Sequence, residues 1–134
     1  PLDDASYLTW PDGAEHIYTQ NETFPFMMIR IADVAKFWSQ IPAATAGALN
    51  VAVTLPEGAT ETYCVTAVNG ISRVEPTQDA ADVTTDIGTL GVMLIGRLTA
   101  GALARAGRLT GDAEAIALLD RLYPAQRVYI NEWY

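Results

Sequence analysis

The order of the predicted elements places this sequence in the α+β class, as an antiparallel sheet with helices packed on one face. Two patterns lead to this prediction. In the middle of the chain, apolar and polar residues alternate in short segments that turn signals separate, and in the last third apolar residues recur at helical spacing. Strands joined by short turns pair antiparallel, and helices that follow them bury their apolar stripes against the sheet.

A strand followed by a helix opens this pattern. Residues 26–31 form a short apolar run that predicts a buried strand. Asp33 is a suitable N-cap for the helix that follows, which Pro42 ends. The apolar stripe of this helix consists of Val34, Phe37, Trp38 and Ile41.

The next segments predict strands. Residues 49–55 alternate, with Leu49, Val51, Val53 and Leu55 on one face. A turn at residues 56–58 leads to a strand over residues 62–68, with Tyr63, Val65 and Ala67 on one face. Asn69-Gly70 predicts a type I′ hairpin turn into residues 71–75, which Pro76 closes. Residues 82–87 alternate again, with Val83, Thr85 and Ile87 on one face.

The last third predicts three helices. Asp86 caps a helix that extends to about residue 98, and a short helix over residues 99–106 ends at Gly107. Asp112 caps the third helix, which Pro124 ends. Its apolar stripe is Ile116, Ala117, Leu119, Leu122 and Tyr123. Residues 128–130 predict a final strand.

Composition excludes several classes of function. The chain has 134 residues, of which 50% are hydrophobic and 18% charged, which is typical of one globular domain. Sixteen acidic residues against eight basic ones give a net charge of -8, so binding to nucleic acid or to an anionic membrane surface is not expected. No apolar run approaches the roughly 18 residues that span a bilayer. No signal peptide is recognised at Pro1, and we expect a cytoplasmic protein.

The reactive residues are few. Cys64 is the single cysteine and His16 the single histidine, so a disulfide within the chain and a Cys- or His-based metal cluster are excluded. His16 lies in the weakly patterned first 25 residues, where we expect a surface or interface histidine and not the base of a catalytic triad. Cys64 lies in a predicted strand, where a small buried hydrophobe is the expected role.

Other polar and small residues also match no known ligand motif. Asp79, Asp82 and Asp86 lack the spacing of a calcium loop and predict a solvated face. The glycines at 88, 91 and 96 are not followed by the Lys-Ser/Thr of a phosphate loop and predict close helix packing. Arginines near helix ends offset the helix dipole, although an anion is an alternative ligand for Arg97, Arg105 and Arg108.

Several segments together resemble one family, the Eis-like (enhanced intracellular survival) acetyltransferases. Residues 28–34, Met-Ile-Arg-Ile-Ala-Asp-Val, resemble the segment that opens the C-terminal domain of that family. Residues 86–91 with 95–96 resemble its Leu-Gly helix, and residues 106–109 its Ala-Gly-Arg turn. Residues 118–124 resemble its aliphatic helix with an aromatic end, and residues 130–134 its aromatic C-terminus.

The resemblance implies an architecture. Residues 26–134 correspond to a domain with a sterol-carrier-protein-like fold, in which helices back a twisted antiparallel sheet. Residues 1–25 then correspond to a linker or to the tail of a preceding acetyltransferase module. The order of strands and helices read from the residues agrees with this fold.

The resemblance also implies a function. In that family two N-terminal GNAT-type modules bind acetyl-CoA, and the C-terminal domain completes the pocket of an amine substrate, for example a cationic aminoglycoside. The terminal carboxylate serves as general base, which corresponds here to Tyr134 as the catalytic residue, with Glu132 and Trp133 as substrate-binding residues. The Arg/Gln-x-x-Gly-x-Gly/Ala loop that binds acetyl-CoA does not occur in this chain. We therefore expect this chain to bind no cofactor and to be inactive without the upstream GNAT modules of the same polypeptide.

Two other classes of function stay open. A free-standing sterol or lipid carrier would enclose an apolar tunnel, and Met27, Met28, Phe37 and Trp38 are its candidate lining residues, with core packing as their alternative role. A structural domain for homo-oligomerisation is the third hypothesis.

Overall fold

The structure, a computed structural model, describes residues 30–126. The predicted strands at residues 26–29 and 128–130 lie outside this range, and Arg30 and Ile31 are not part of a strand. The strands are β1 Gly47–Thr54, β2 Thr60–Val68, β3 Ile71–Thr77, β4 Val83–Asp86 and β5 Leu109–Gly111. The helices are α1 Val34–Ser39, α2 Ile87–Leu94, α3 Ala100–Arg105 and α4 Ala113–Leu122.

The five strands form one sheet in the order β3-β2-β1-β4-β5. Three of its four pairings are antiparallel, whereas β4 runs parallel to β1, with Val51 opposite Val83. The predicted α+β fold with helices on one face is confirmed, and the sheet is mixed rather than wholly antiparallel. Short turns form the β1–β2 and β2–β3 hairpins. Residues 78–82 then connect β3, at one edge of the sheet, to β4, which lies on the other side of β1.

Alternation along the strands separates a helix-covered face from an open face. Leu49, Val51 and Val53 of β1 are buried on the helix-covered face, as predicted, and so are the predicted Tyr63, Val65 and Ala67 of β2. Helix side chains complete this core, and the largest fully buried ones are Trp38, Leu90, Met93, Leu119 and Leu122. The open face carries the alternate residues of the same strands, including Ala48 and Thr84, which are exposed.

The hairpin between β2 and β3 has the predicted type I′ turn. Asn69 has φ 52° and Gly70 has φ 81°, and this turn requires positive φ at both positions. Pro76 lies inside β3 instead of closing it. An edge strand tolerates proline because the missing N–H faces away from the neighbouring strand.

Three helix starts follow the predicted caps Asp33, Asp86 and Asp112, whereas Thr99, which was predicted to be the first residue of its helix, is the cap of α3. The side chains of Asp33, Asp86, Thr99 and Asp112 each accept a hydrogen bond from a backbone N–H of the first turn. Because Asp86 caps α2, Ile87 is the first residue of that helix and not the last of β4.

Two helix predictions need correction. Helix α2 ends at Leu94, well before residue 98, because Gly96 adopts φ 78° and its carbonyl accepts the N–H of Gln126 at 2.8 Å. Ala117 is exposed and does not belong to the buried stripe of α4, which consists of Leu119, Leu122 and Tyr123. Within residues 30–126, no helix has the length and apolar character needed to cross a membrane.

Candidate functional site

The predicted catalytic and substrate-binding residues lie outside the described residues. These are Tyr134, Glu132 and Trp133, and the single histidine, His16, also lies outside them. Their assignment therefore stays a prediction. The described residues define the surroundings in which such a site would be built.

Strands β1 and β4 finish at the same end of the sheet, which we call the apex. A hollow of about 410 Å³ opens to solvent here. Its lining is mostly apolar, with one arginine and one glutamate, and comprises Arg30, Ile31, Ala32, Leu55, Pro56, Glu57, Ile87 and Gly88. A second hollow of about 320 Å³ lies beside β2 and β3 and is lined largely by polar residues, Glu61 and Thr77 among them. Both are surface depressions, with space for a small polar group or a short peptide side chain.

A polar cluster connects the start of α2 to the start of β5 at the apex. The Asp86 carboxylate accepts the Thr89 N–H at 2.9 Å and the Thr89 hydroxyl at 2.7 Å. The Arg108 guanidinium pairs with the same carboxylate at 3.2 Å, and its Nε donates to the Thr89 hydroxyl at 3.3 Å. Thr85 donates its hydroxyl to the Arg108 carbonyl. Arg108 therefore pairs with Asp86 of the same chain. The alternative that the sequence left open was a bound anion.

Two opposing effects act on the pKa of Asp86. Burial raises it, but the hydrogen bonds from Thr89 and the charge of Arg108 outweigh burial, and the pKa lies below its ordinary value. The carboxylate is therefore ionised at neutral pH and acts as an acceptor, not as a proton donor.

On the helix-covered face, Tyr63 forms a polar contact that is separate from the Asp86 cluster. Its ring is buried and its hydroxyl donates to the Glu61 carboxylate. Burial first, and then the carboxylates of Glu61 and Asp33, raise the pKa of Tyr63 far above its usual range. The phenol stays protonated at physiological pH, so it is a hydrogen-bond donor and not a general base.

The other candidates from the sequence do not converge. Asp79 bonds to Thr77, and the Asp82 carboxylate accepts the Asn50 N–H at 2.7 Å. Within residues 30–126, no group of three His, Cys, Asp or Glu residues is arranged to hold a metal ion. Cys64 is only half-buried and lies on the open face, because strand parity groups it with Asn50 and not with the core residues. The expected buried position of this thiol is therefore wrong.

The interior around Trp38 is filled by protein side chains. Trp38 is fully buried and meets the Tyr123 ring edge-on, with 5.9 Å between centroids. The Ser72 hydroxyl bonds to the Tyr123 hydroxyl at 2.8 Å and to the Ile41 carbonyl at 2.9 Å. These contacts tie α1, β3 and the end of α4 together. Trp38 is a core residue and not part of a ligand tunnel, while the candidate lining residues Met27 and Met28 lie outside the described range.

The sequence of this fold matches a known family over most of its length. Residues 34–131 match the family described as the sterol carrier protein domain. The chain belongs to this family. No curated protein matches it.

Several solved structures of longer chains contain a part with a similar fold. The GCN5-related N-acetyltransferase from Kribbella flavida matches with a TM-score of 0.68 and 18% identity, over 78% of this chain and 29% of that one. The GCN5-related N-acetyltransferase from Anabaena variabilis matches with a TM-score of 0.62 and 16% identity, over 72% and 26%. Eis1 from Mycobacterium abscessus matches with a TM-score of 0.58 and 25% identity, over 69% and 24%. The chain thus spans less than a third of these structures, and the predicted resemblance to the sterol-carrier-protein-like domain of Eis-like acetyltransferases is confirmed.

Proposed function

We propose that this domain completes the amine-substrate pocket of an Eis-like GNAT N-acetyltransferase and supplies its terminal carboxylate as general base. The supporting observation is that the same fold forms part of longer acetyltransferases, with a TM-score of 0.68 to that of Kribbella flavida. In the proposal, upstream GNAT modules of the same polypeptide bind acetyl-CoA, and the carboxylate of Tyr134 is the base.

The chemistry asks for a base at this position. An ammonium ion cannot attack the thioester carbonyl, so a carboxylate within hydrogen-bond reach first takes one of its protons. The neutral amine then forms the C–N bond as the C–S bond breaks, and the leaving thiolate of coenzyme A takes up the second amine proton. A terminal carboxylate is a weak base in water, and burial away from solvent raises its pKa and so makes it a stronger base. In the proposal, Glu132 attracts the cationic amine and Trp133 contacts it. A cationic aminoglycoside is the substrate class to test first.

The packed interior is an argument for preferring this proposal to a lipid carrier. A carrier needs an apolar cavity that encloses most of its ligand. The core of residues 30–126 is filled by Trp38, Leu119, Leu122 and their neighbours, and the hollows beside it are open to solvent.

The test compares two variants of the full-length enzyme. Deletion of Tyr134 moves the terminal carboxylate back by one residue, and we expect kcat/KM for a cationic amine to fall about 100-fold or more. Tyr134→Phe keeps the carboxylate in place and serves as the matched control, with kcat/KM within about threefold of the wild type. Unchanged turnover after the deletion would contradict the proposal, and so would a Tyr134→Phe loss as large as that of the deletion.

A further inference from the structure

The open face of the sheet is uncharged over its centre. The inner positions of β1, β2 and β4 present small or β-branched neutral side chains, among them Ala48, Asn50, Ala52, Thr62, Cys64 and Thr84. The charges of β3, the edge strand, are Arg73 and Glu75, which pair with each other at 3.6 Å. Asp86, the last residue of β4, and Asp82, just before that strand, lie at its two ends and not over the centre of the face.

This composition is characteristic of a contact surface. Sheets that face water use charged side chains to prevent association, whereas the centres of protein interfaces are depleted of charge. The hairpin end of the open face is apolar as well. Val68 and Ile71 are cross-strand partners there, and they are 54% and 71% exposed.

We propose that the open face packs against the acetyltransferase modules of the same polypeptide. The inference rests on the proposed function, and it adds which side of the domain makes that contact. In the matching acetyltransferases the domain forms 24–29% of the chain, so most of each polypeptide lies outside it. The occupant of this face is then a neutral, apolar surface of a neighbouring module.

The area of the open face fits this occupant better than a second copy. From the strand spacing and rise, three long strands and two short ones present about 500 Å² in projection, or about 1,000 Å² counted on both partners. Contacts between domains of one chain bury about 600–1,500 Å² because covalent connection keeps the partners at high effective concentration. Stable complexes of separate chains bury about 1,200–2,000 Å², and two copies of net charge -8 also repel each other.

The test measures solvent access to the open face in the full-length enzyme. In a Cys64→Ala background, Ala48→Cys and Thr84→Cys place a thiol at exposed positions of β1 and β4, and Ala117→Cys places one at an exposed position of α4 as the matched control. Each thiol is labelled with a maleimide and located by peptide mass spectrometry. We expect the two open-face thiols to react at least about tenfold more slowly than the thiol at position 117, and all three to react equally in denaturant.

A photo-cross-linker attached to the thiol at position 84 identifies the occupant. We expect the cross-linked peptide to come from an upstream module of the same polypeptide. Equal labelling of all three thiols in the native enzyme would overturn the inference. If dilution makes the open-face thiols react as fast as the thiol at position 117, a second copy covers the face and the inference is wrong. A cross-link to residues 1–25 or 127–134 would also overturn it. Labelling does not require turnover, so the two proposals can fail separately. An enzyme with a protected open face but no acetyltransferase activity would contradict the proposed function and leave this inference standing.

Discussion

The Asp86 carboxylate joins three parts of the fold through two oxygen atoms. It caps α2 through the Thr89 N–H, accepts the Thr89 hydroxyl and pairs with Arg108 at the start of β5. Caps of this kind contribute about 0.5–2 kcal/mol to the free energy of unfolding. The ion pair adds less because both side chains are partly exposed to solvent.

The lowered pKa of Asp86 leads to a pH-dependent prediction. A carboxyl with a lower pKa in the folded state contributes stability above its unfolded pKa and loses it as the pH falls through the folded pKa. Asp86→Asn keeps a capping acceptor but removes the charge, so we expect the free energy of unfolding to fall by about 0.5–1 kcal/mol at pH 7. This difference should shrink as the pH falls below the unfolded pKa of Asp86 and through its lower folded pKa.

Urea denaturation of the wild type and the variant at several pH values measures this difference. Asp79→Asn is the control, because Asp79 is exposed and its carboxylate contacts Thr77. A deficit of Asp86→Asn that is independent of pH would disprove the electrostatic explanation.

Among the elements, α3 depends on a contact with α4. Helix α3 has six residues, which is too short to be stable by itself. The Asp120 carboxylate of α4 accepts the Gly101 N–H at 3.1 Å and so satisfies a free donor at the helix start. A Cβ at position 101 would lie 2.9 Å from the same carboxylate, closer than normal packing allows.

This contact predicts a change of sign in a double-mutant cycle. With Asp120 present, we expect Gly101→Ala to lower the free energy of unfolding by about 1 kcal/mol, because the new methyl group displaces the carboxylate. In an Asp120→Ala background, the same change should be neutral or stabilising by up to about 1 kcal/mol, because alanine favours a helix over glycine. Urea denaturation of the four proteins gives the coupling energy. Additive effects would show that the two residues do not interact.

For the whole molecule, the packed interior predicts a weak response to lipids. A ligand that binds only the folded state raises Tm, and at a given concentration a tighter ligand raises it more. Because Trp38 and Leu119 have no exposed surface in the core, we expect palmitate and cholesterol to shift Tm by less than about 1 °C. Differential scanning fluorimetry checks this, with a lipid-binding sterol carrier protein as the positive control. A saturable rise in Tm would favour the carrier hypothesis.

Local sequence was sufficient for much of the fold because the relevant contacts join residues close in the chain. Three helix caps, the Asn69-Gly70 turn and the buried faces of β1 and β2 each follow from a few neighbouring residues. Strand β5 was not predicted, since three residues are too few to show alternation, and it exists through its pairing with β4.

In the candidate site, too, a local feature could be predicted and a contact between distant residues could not. Asp86 was expected to cap a helix, but its Arg108 partner lies on a different element and was not identifiable from spacing. The roles of Glu132, Trp133 and Tyr134 come from the resemblance alone and stay predictions.

The sequence was thus enough to establish the α+β class, most of the helix starts and the alternation that separates the two faces of β1 and β2. The three-dimensional structure was needed for the parallel pairing of β4 with β1, the early end of α2 at Gly96 and the place of Cys64 on the open face. The physical reason is the range of the forces involved. Caps and turns act within four residues, whereas strand order and helix ends depend on partners such as Gln126 that lie tens of residues away.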